Sequence, residues 1–441
     1  MISAEFPPET TAGSHRLRLL APHLPEFGWE PTILTMDARD SEGRLEPELE
    51  QLFPRELRVL RSRAWPAKWT RLLRVGDAGA RAYRGFLRTC RELLRRERLD
   101  ALFITVPSYY PAYLGPRLKQ EFGIPFVLDY IDPWVGAWGL TVGGGPNSKP
   151  DLKSRLARRL AVWSEPRVVA HVDAFTAVSS ATYEQVFARN PQVADRPCAS
   201  IPYGGEIADF DYLRAHPRAN VFFDPNDGNC HLCYLGTLLP LGFETLRALL
   251  AAARWLQQEH PDLYAKLRLH FFGTSNQTRP GAPQRVLPVA REIGVAEIVQ
   301  ETAHRIDYLD ALTVQTQASA ILLMGSSERH YTGSKLYPAL LAQRPILALY
   351  HEASSVSQIM RNAGRAPSLR LLTYDDEQRA ESQVGAIAAQ LAELIADPRY
   401  CTADVNLEVV REFSAAAVSA KLAGILDQVV SPRVVAQSHA G

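Results

Sequence analysis

The 441-residue sequence predicts an α/β protein of two domains, each built on a parallel sheet and the two facing across a cleft. Three observations predict it. Short apolar runs alternate with helical stretches along the whole chain, which is how parallel strands covered on both faces read in sequence. The runs fall into two similar series joined near residues 202–211. The chain is too long for one ordinary core and suits two domains of roughly 150 to 200 residues each.

The elements follow in order. ISAEFPP opens the chain almost inside a first strand, expected to be short or clipped. The glycine loop TTAGS then leads into a helix beginning at His15, for which Ser14 is a good N-cap. Further strands of the first series are expected at 31–35, 57–60, 99–105, 125–130, 174–178 and 199–202. TVGGGPNSKP, residues 141–150, reads as a mobile loop at the crevice edge. The second series is expected at 231–235, 267–272, 297–300, 320–324, 346–350 and 369–374. Within it AILLM at 320–324 reads as a buried strand, 325–333 as a polar loop and 334–343 as a helix before the next strand. Helices are expected at 384–394 and 407–429. The domains are expected at 1–203 and 204–412, with a C-terminal helix at 413–430 returning to the first and a frayed tail at 431–441.

Composition narrows the function. A hydrophobic content of 46% supports a well-buried soluble protein, and no apolar run approaches the ~20 residues that span a bilayer. A cytoplasmic location is therefore expected. Five cysteines without a framework suit a reducing compartment. Cys230 and Cys233 form a CxxC, but they overlap a strand, where residues three apart face opposite ways, and no second pair completes a zinc site. Net charge of +1 excludes a global nucleic-acid footprint. The stretch 55–98, from Arg55 to Arg98, holds fourteen Lys or Arg against four acids, with Trp65 and Trp69 interleaved. It reads as a solvated helix face, or as a peripheral contact with anionic lipid at the inner membrane face.

Candidate chemistry gathers where strands end and helices begin. Lys335, one of only seven lysines, stands at a helix start, where unpaired N–H groups and a partial positive charge receive anions. Ser334 and Gly333 precede it, and His330 and Tyr331 offer hydrogen bonds to a ligand there. Arg305 is a second cation on the same sheet edge, or a surface arginine beside the N-cap Asp307. Gly236 with Thr237, and Gly273 with Thr274, are glycine turns at strand ends. In the first series, Gly13 lets a ligand approach the backbone, beside Ser14, His15 and Arg16. Asp129 and Asp132 in LDYIDPW leave on different faces, a poor metal pair, and Asp132 before Pro133 is either a turn former or a group facing the crevice. The Asp-x-Asp at Asp209 and Asp211 sits at a hinge, which is a poor place for a metal motif.

SKLYPALLAQRPILAL, 334–349, resembles the "SK, helix, GKPIL" segment of GT-B glycosyltransferases, especially the retaining family 4. Residues 6–35 are similar to that family's opening loop, helix and second strand, VLDYIDPW to its Asp-Pro-Trp turn, FTAVSSATYEQ to its Val-Ser helix, IPYGGE to its hinge and YLGTL to the first strand of its second domain. The likeness spans about residues 1–430. It implies two Rossmann-like domains, and a sugar moved with retention and without a metal from a nucleoside-diphosphate donor to a hydroxyl of a glycan or lipid-linked acceptor. Polysaccharide or glycoconjugate biosynthesis is the implied setting. No cofactor is implied beyond the nucleotide-sugar substrate. Asp132 then matches the group aimed at the acceptor and Glu328 the acid that contacts the transferred sugar. Ser14, His15 and Arg16 fall on the acceptor side, while Gly13, Gly236, Thr237, Gly273, Arg305, His330, Tyr331, Gly333, Ser334 and Lys335 fall on the donor side. The departures are specific: Thr237 and Leu241 stand where the family has an Arg and a Lys, and Pro338 where it has a Glu for the ribose. They leave open a catalytically silent scaffold of a polysaccharide assembly, and more remotely a GT-B sugar epimerase.

Overall fold

The computed structural model describes residues 1–72, 77–135, 152–275, 277–326 and 333–438; the expected loop at 141–150 lies outside them. The chain forms two compact units, Met1–Tyr203 with Ala415–Gly441, and Gly204–Ser414.

The first unit is a parallel sheet of β1 (Thr32–Met36), β2 (Arg58–Ser62), β3 (Leu102–Val106), β4 (Phe126–Tyr130), β5 (Ala174–Ala177) and β6 (Cys198–Ser200). The start of the chain joins its two halves, because Ile2 bridges in parallel to both Leu34 and Ile104. Ile2 N–H donates to Phe103 O at 2.7 Å, and Thr105 N–H donates back to Ile2 O at 3.0 Å. The order is therefore β2-β1-Ile2-β3-β4-β5-β6. The expected first strand contracts to one bridged residue, and Pro7 and Pro8 just beyond it have no N–H to extend a ladder. Alternation along β3 and β4 divides the core. Phe103 and Val127 pack with Leu17, Leu20 and Ile33 on one face, and Leu102, Ile104 and Leu128 with Phe86 and Leu118 on the other. The first of these faces is completed by Val418, Leu422, Ile425 and Leu426 of the helix Ala415–Ser438.

The second unit is a six-stranded parallel sheet: β7 (Cys230–Leu235), β8 (Leu267–Phe272), β9 (Val299–Thr302), β10 (Ala320–Met324), β11 (Ile346–His351) and β12 (Leu369–Tyr374), in the order β12-β11-β10-β7-β8-β9. Strand order reverses between β7 and β10, making a doubly wound sheet with its switch point there. Leu232, Leu269, Leu322 and Leu347 meet the helices Phe243–Glu259 and Val384–Ala396 on one face. Cys233, Leu235, Phe272 and Val314 fill the other, so Cys230 and Cys233 enter different clusters as strand periodicity requires.

Some expectations move. The helix predicted at 334–343 spans only Leu336–Leu341, and Gln343, left-handed at φ 53°, turns the chain toward β11. The helix predicted at 407–429 is two, Leu407–Arg411 and Ala415–Ser438, the first capped by Asn406, whose side chain accepts from Glu408 N at 3.1 Å. The second is continuous to Ser438, where a frayed tail was expected.

The cationic stretch 55–98 is not one basic face. It folds as β2 and the helices Ala67–Leu72 and Ala78–Arg96, and four of its arginines meet acids: Arg58 with Glu97 (2.6 Å), Arg61 with Glu50 (2.5 Å), Arg63 with Asp40 (2.7 Å) and Arg91 with Glu121 (2.5 Å). Arg81 is buried and donates to Trp65 O at 2.8 Å.

Candidate functional site

In the second unit the candidate residues follow the C-terminal ends of parallel strands, the edge where open sheets bind ligands. Gly236 and Thr237 follow β7, Gly273 follows β8, Arg305 lies beyond β9, and Gly333, Ser334 and Lys335 lie between β10 and β11. Glu328, His330 and Tyr331 fall outside the described residues.

Gly273 has φ +73°, where a side chain would strain the backbone. Its N–H donates to Thr302 O at 2.9 Å. The next residue, Thr274, is buried and donates through Oγ1 to Glu301 Oε1 at 2.5 Å. Glu301 escaped the sequence reading. Its carboxylate also accepts from the backbone N–H groups of Arg285 (2.8 Å), Val286 (3.0 Å) and Leu287 (2.8 Å), capping the helix Leu287–Ile293. Arg285 Nη1 in turn donates to Leu238 O at 2.6 Å. One strand-end acid thus ties together the turns after β7 and β8. No local pattern signals this, because its partners are distant in sequence.

Tyr350, buried in β11, explains two further glycines. A Cβ on Gly325 would lie 2.6 Å from the Tyr350 ring, and one on Gly333 would overlap its hydroxyl. Beside them Tyr374 Oη donates to Ser326 O at 3.0 Å and accepts from Thr245 Oγ1 at 3.0 Å. Both edges of 327–332 are therefore held by buried tyrosines.

Lys335 is the N-cap of the short helix Leu336–Leu341, in αR conformation and without a side-chain cap bond. Desolvation, followed by the nearby Arg305 guanidinium, pushes its pKa below the ordinary lysine value. The residue as a whole keeps an exposed surface, while its ammonium is the desolvated part. Leu241, at a position where the family carries a cation, is 53% exposed.

In the first unit the helix starts earlier than expected. It spans Ala12–Leu20, and its N-cap is Thr11, whose Oγ1 accepts from Ser14 N at 3.2 Å. Ser14 is not the cap; its hydroxyl donates to Glu9 O at 2.5 Å. Either hydroxyl suits the sequence pattern, and the turn geometry selects Thr11. Gly13 packs against Glu5, whose Oε2 lies 3.0 Å from where a Cβ would sit. His15 is half-buried. Arg16, expected on the acceptor side, is engaged by the protein itself. It is 1% exposed, forks onto Asp129 through Nε (2.9 Å) and Nη2 (2.7 Å), and donates through Nη1 to Ile201 O (2.7 Å) and Pro202 O (3.0 Å). Thr176 Oγ1 adds a bond to Asp129 at 2.7 Å.

Asp129 is wholly buried, whereas Asp132 is exposed beyond β4, with desolvation raising its pKa. A raised pKa makes a carboxylate a better proton acceptor. Its turn is rigid: Tyr109 stacks on buried Trp134 with centroids 5.2 Å apart and donates to Pro133 O at 2.8 Å. Glu9 was also missed. Burial, and then the Glu5 carboxylate, push its pKa up to about 8. The Asp-x-Asp diverges: Asp209 is buried and accepts from Tyr308 Oη at 2.6 Å, while Asp211 is exposed and paired with Arg214.

Residues 11–204 match the glycosyl transferase 4-like domain family. Comparison with curated proteins gives no match. Among solved structures, Alr3699/HepE of Anabaena in complex with UDP-glucose superposes with a TM-score of 0.56 at 16% identity, covering 97% of this chain and 98% of that one. A glycosyltransferase from Rickettsia africae ESF-5 gives 0.54 at 12% identity, covering 97% of each chain. The N-terminal domain of Candida albicans trehalose-6-phosphate phosphatase gives 0.59 at 12% identity, covering 97% of this chain and 96% of that one. At such identities the likeness is one of fold, and that fold is GT-B.

Proposed function

We propose, for a chain of GT-B fold whose residues 11–204 match the glycosyl transferase 4-like domain, that it transfers a sugar from a nucleoside-diphosphate donor to a hydroxyl of a glycan or lipid-linked acceptor. Retention, independence from metal, a cytoplasmic location and a role in polysaccharide or glycoconjugate assembly belong to the same proposal. The observation that supports it is the carboxyl edge of the second unit, where the switch point and the glycine turns after β7 and β8 lie on the same edge as Lys335, which has the Arg305 guanidinium near it. Lys335 and Arg305 take the diphosphate. Charge grows on that leaving group as the sugar departs, so fixed cations stabilise the transition state more than the ground state. Asp132 accepts the acceptor's proton, and Glu328 contacts the transferred sugar. The Anabaena neighbour holding UDP-glucose supports a donor of this class.

A silent scaffold is the second reading, favoured by Thr237, exposed Leu241 and Pro338, which offer neither cation nor carboxylate. Thermal denaturation with UDP, GDP, ADP and their sugars separates the two. A ligand at a hundred times its dissociation constant adds about 2.7 kcal/mol to stability. A shift with one nucleotide family, lost in Lys335→Ala, is expected of the transferase. No shift with any of them at millimolar concentration favours the scaffold.

A further inference from the structure

We propose that the outer face of the helix Leu152–Val169 docks on an anionic lipid bilayer, with Leu156, Leu160 and Trp163 as its apolar anchors and Arg155 and Arg159 as its headgroup contacts. The three apolar residues recur at i, i+4 and i+7, which places them on one stripe. They are 67%, 48% and 54% exposed. Ala161, Ser164, Val168 and Val169, on the other side, are buried in the first unit, so the helix is seated by its own core and the stripe is surplus to it. Large apolar side chains at that spacing are the half of an amphipathic helix that folding normally hides.

Charge selects the occupant. Arg155 and Arg159 are exposed beside the stripe, and the Arg167 guanidinium lies 3.8 Å over the Trp163 ring. Glu165 is the one acid among residues 154–169, and it is buried, accepting from Arg189 at 2.8 and 3.0 Å. The outer face thus presents hydrocarbon and guanidinium with no carboxylate. A second copy of the same face would set arginine against arginine, whereas anionic headgroups over acyl chains match both halves. Tryptophan is well suited to that boundary. No helix of the described residues is long and apolar enough to cross a membrane, so the contact is with the surface. The stretch 55–98, where acids neutralise several arginines, is the weaker candidate.

Docking is independent of the donor chemistry, and a chain that binds no nucleotide can still dock. The test is flotation of the full chain with vesicles of phosphatidylcholine alone and of phosphatidylcholine with phosphatidylglycerol. Binding is expected only to the anionic vesicles, weakening with salt, and falling roughly tenfold or more in Leu156→Ser/Leu160→Ser/Trp163→Ser and in Arg155→Glu/Arg159→Glu. Melting temperature and any nucleotide response should be unchanged in both variants, since the residues are solvent-facing. Wild-type protein that stays with the pellet in anionic vesicles, or a triple variant that floats like wild type, overturns the proposal. So does a dimer, seen by light scattering, that the triple variant dissolves while lipid has no effect.

Discussion

Arg16 and Lys335 show how differently two cations of similar sequence context behave. Each lies near a helix start after a glycine, yet Arg16 is spent on Asp129 and two carbonyls, while Lys335 keeps an exposed surface. Removing one member of a buried ion pair leaves the other without its counter-charge. Arg16→Ala should therefore destabilise the first unit by about 3–5 kcal/mol in urea titrations. Lys335→Ala should change stability by no more than about 0.5 kcal/mol, so a lost nucleotide response cannot be blamed on unfolding. Asp132 stood out in the sequence because Asp-Pro-Trp marks a strand end. Glu9 and Glu301 did not, because their importance lies in burial and in partners far along the chain.

At the scale of elements, the segment joining β10 to β11 was legible as strand, loop, helix and strand, but its constraint was not. Gly325 and Gly333 read as the ends of a polar loop; the structure shows that Tyr350 occupies the space their side chains would need. Gly333→Ala should cost about 1–3 kcal/mol by overpacking. The clash is with the hydroxyl, so Tyr350→Phe should recover part of that loss, and the double-mutant cycle should return a favourable coupling in thermal denaturation. Additivity of the two changes would remove Tyr350 as the reason for that glycine. Helix ends were placed less well than strands, since Thr11 and Ser14 are equivalent caps by type and only hydrogen-bond geometry distinguishes them.

In the whole molecule, the two units should respond to pH in opposite directions. In the second, His270 is buried between His231 and Phe223, and burial, with His231 next, lowers its pKa from 6.5 to about 4. Its folded value lies below its unfolded one, so the stability it contributes is present above pH 6.5 and lost as pH falls toward 4. Between pH 7 and 5 that loss is about 2 kcal/mol. In the first unit Glu9 has its folded value raised to about 8, so its contribution is complete at low pH and lost as pH rises through that value. Calorimetry should show the first unit weakening as pH rises from about 4.5 to about 8, an effect that Glu9→Gln abolishes, and the second weakening as pH falls below 6.5. Chain order adds a further expectation. Residues 204–414 are contiguous and should fold alone, whereas residues 1–203 lack Val418, Leu422 and Ile425 and should expose the core face those side chains cover, seen as dye binding and lost cooperativity. The sequence by itself determined the α/β class, the strands of both sheets to within a few residues, and the strand ends at which candidate ligand groups cluster, because apolar periodicity and glycine punctuation are local signals. Only the tertiary structure decided that Arg16 forks onto a buried Asp129, that Glu301 ties the turns together, that Tyr350 dictates two glycines and that several arginines of 55–98 meet acids, because each depends on pairs far apart in the chain, which no single window of sequence contains.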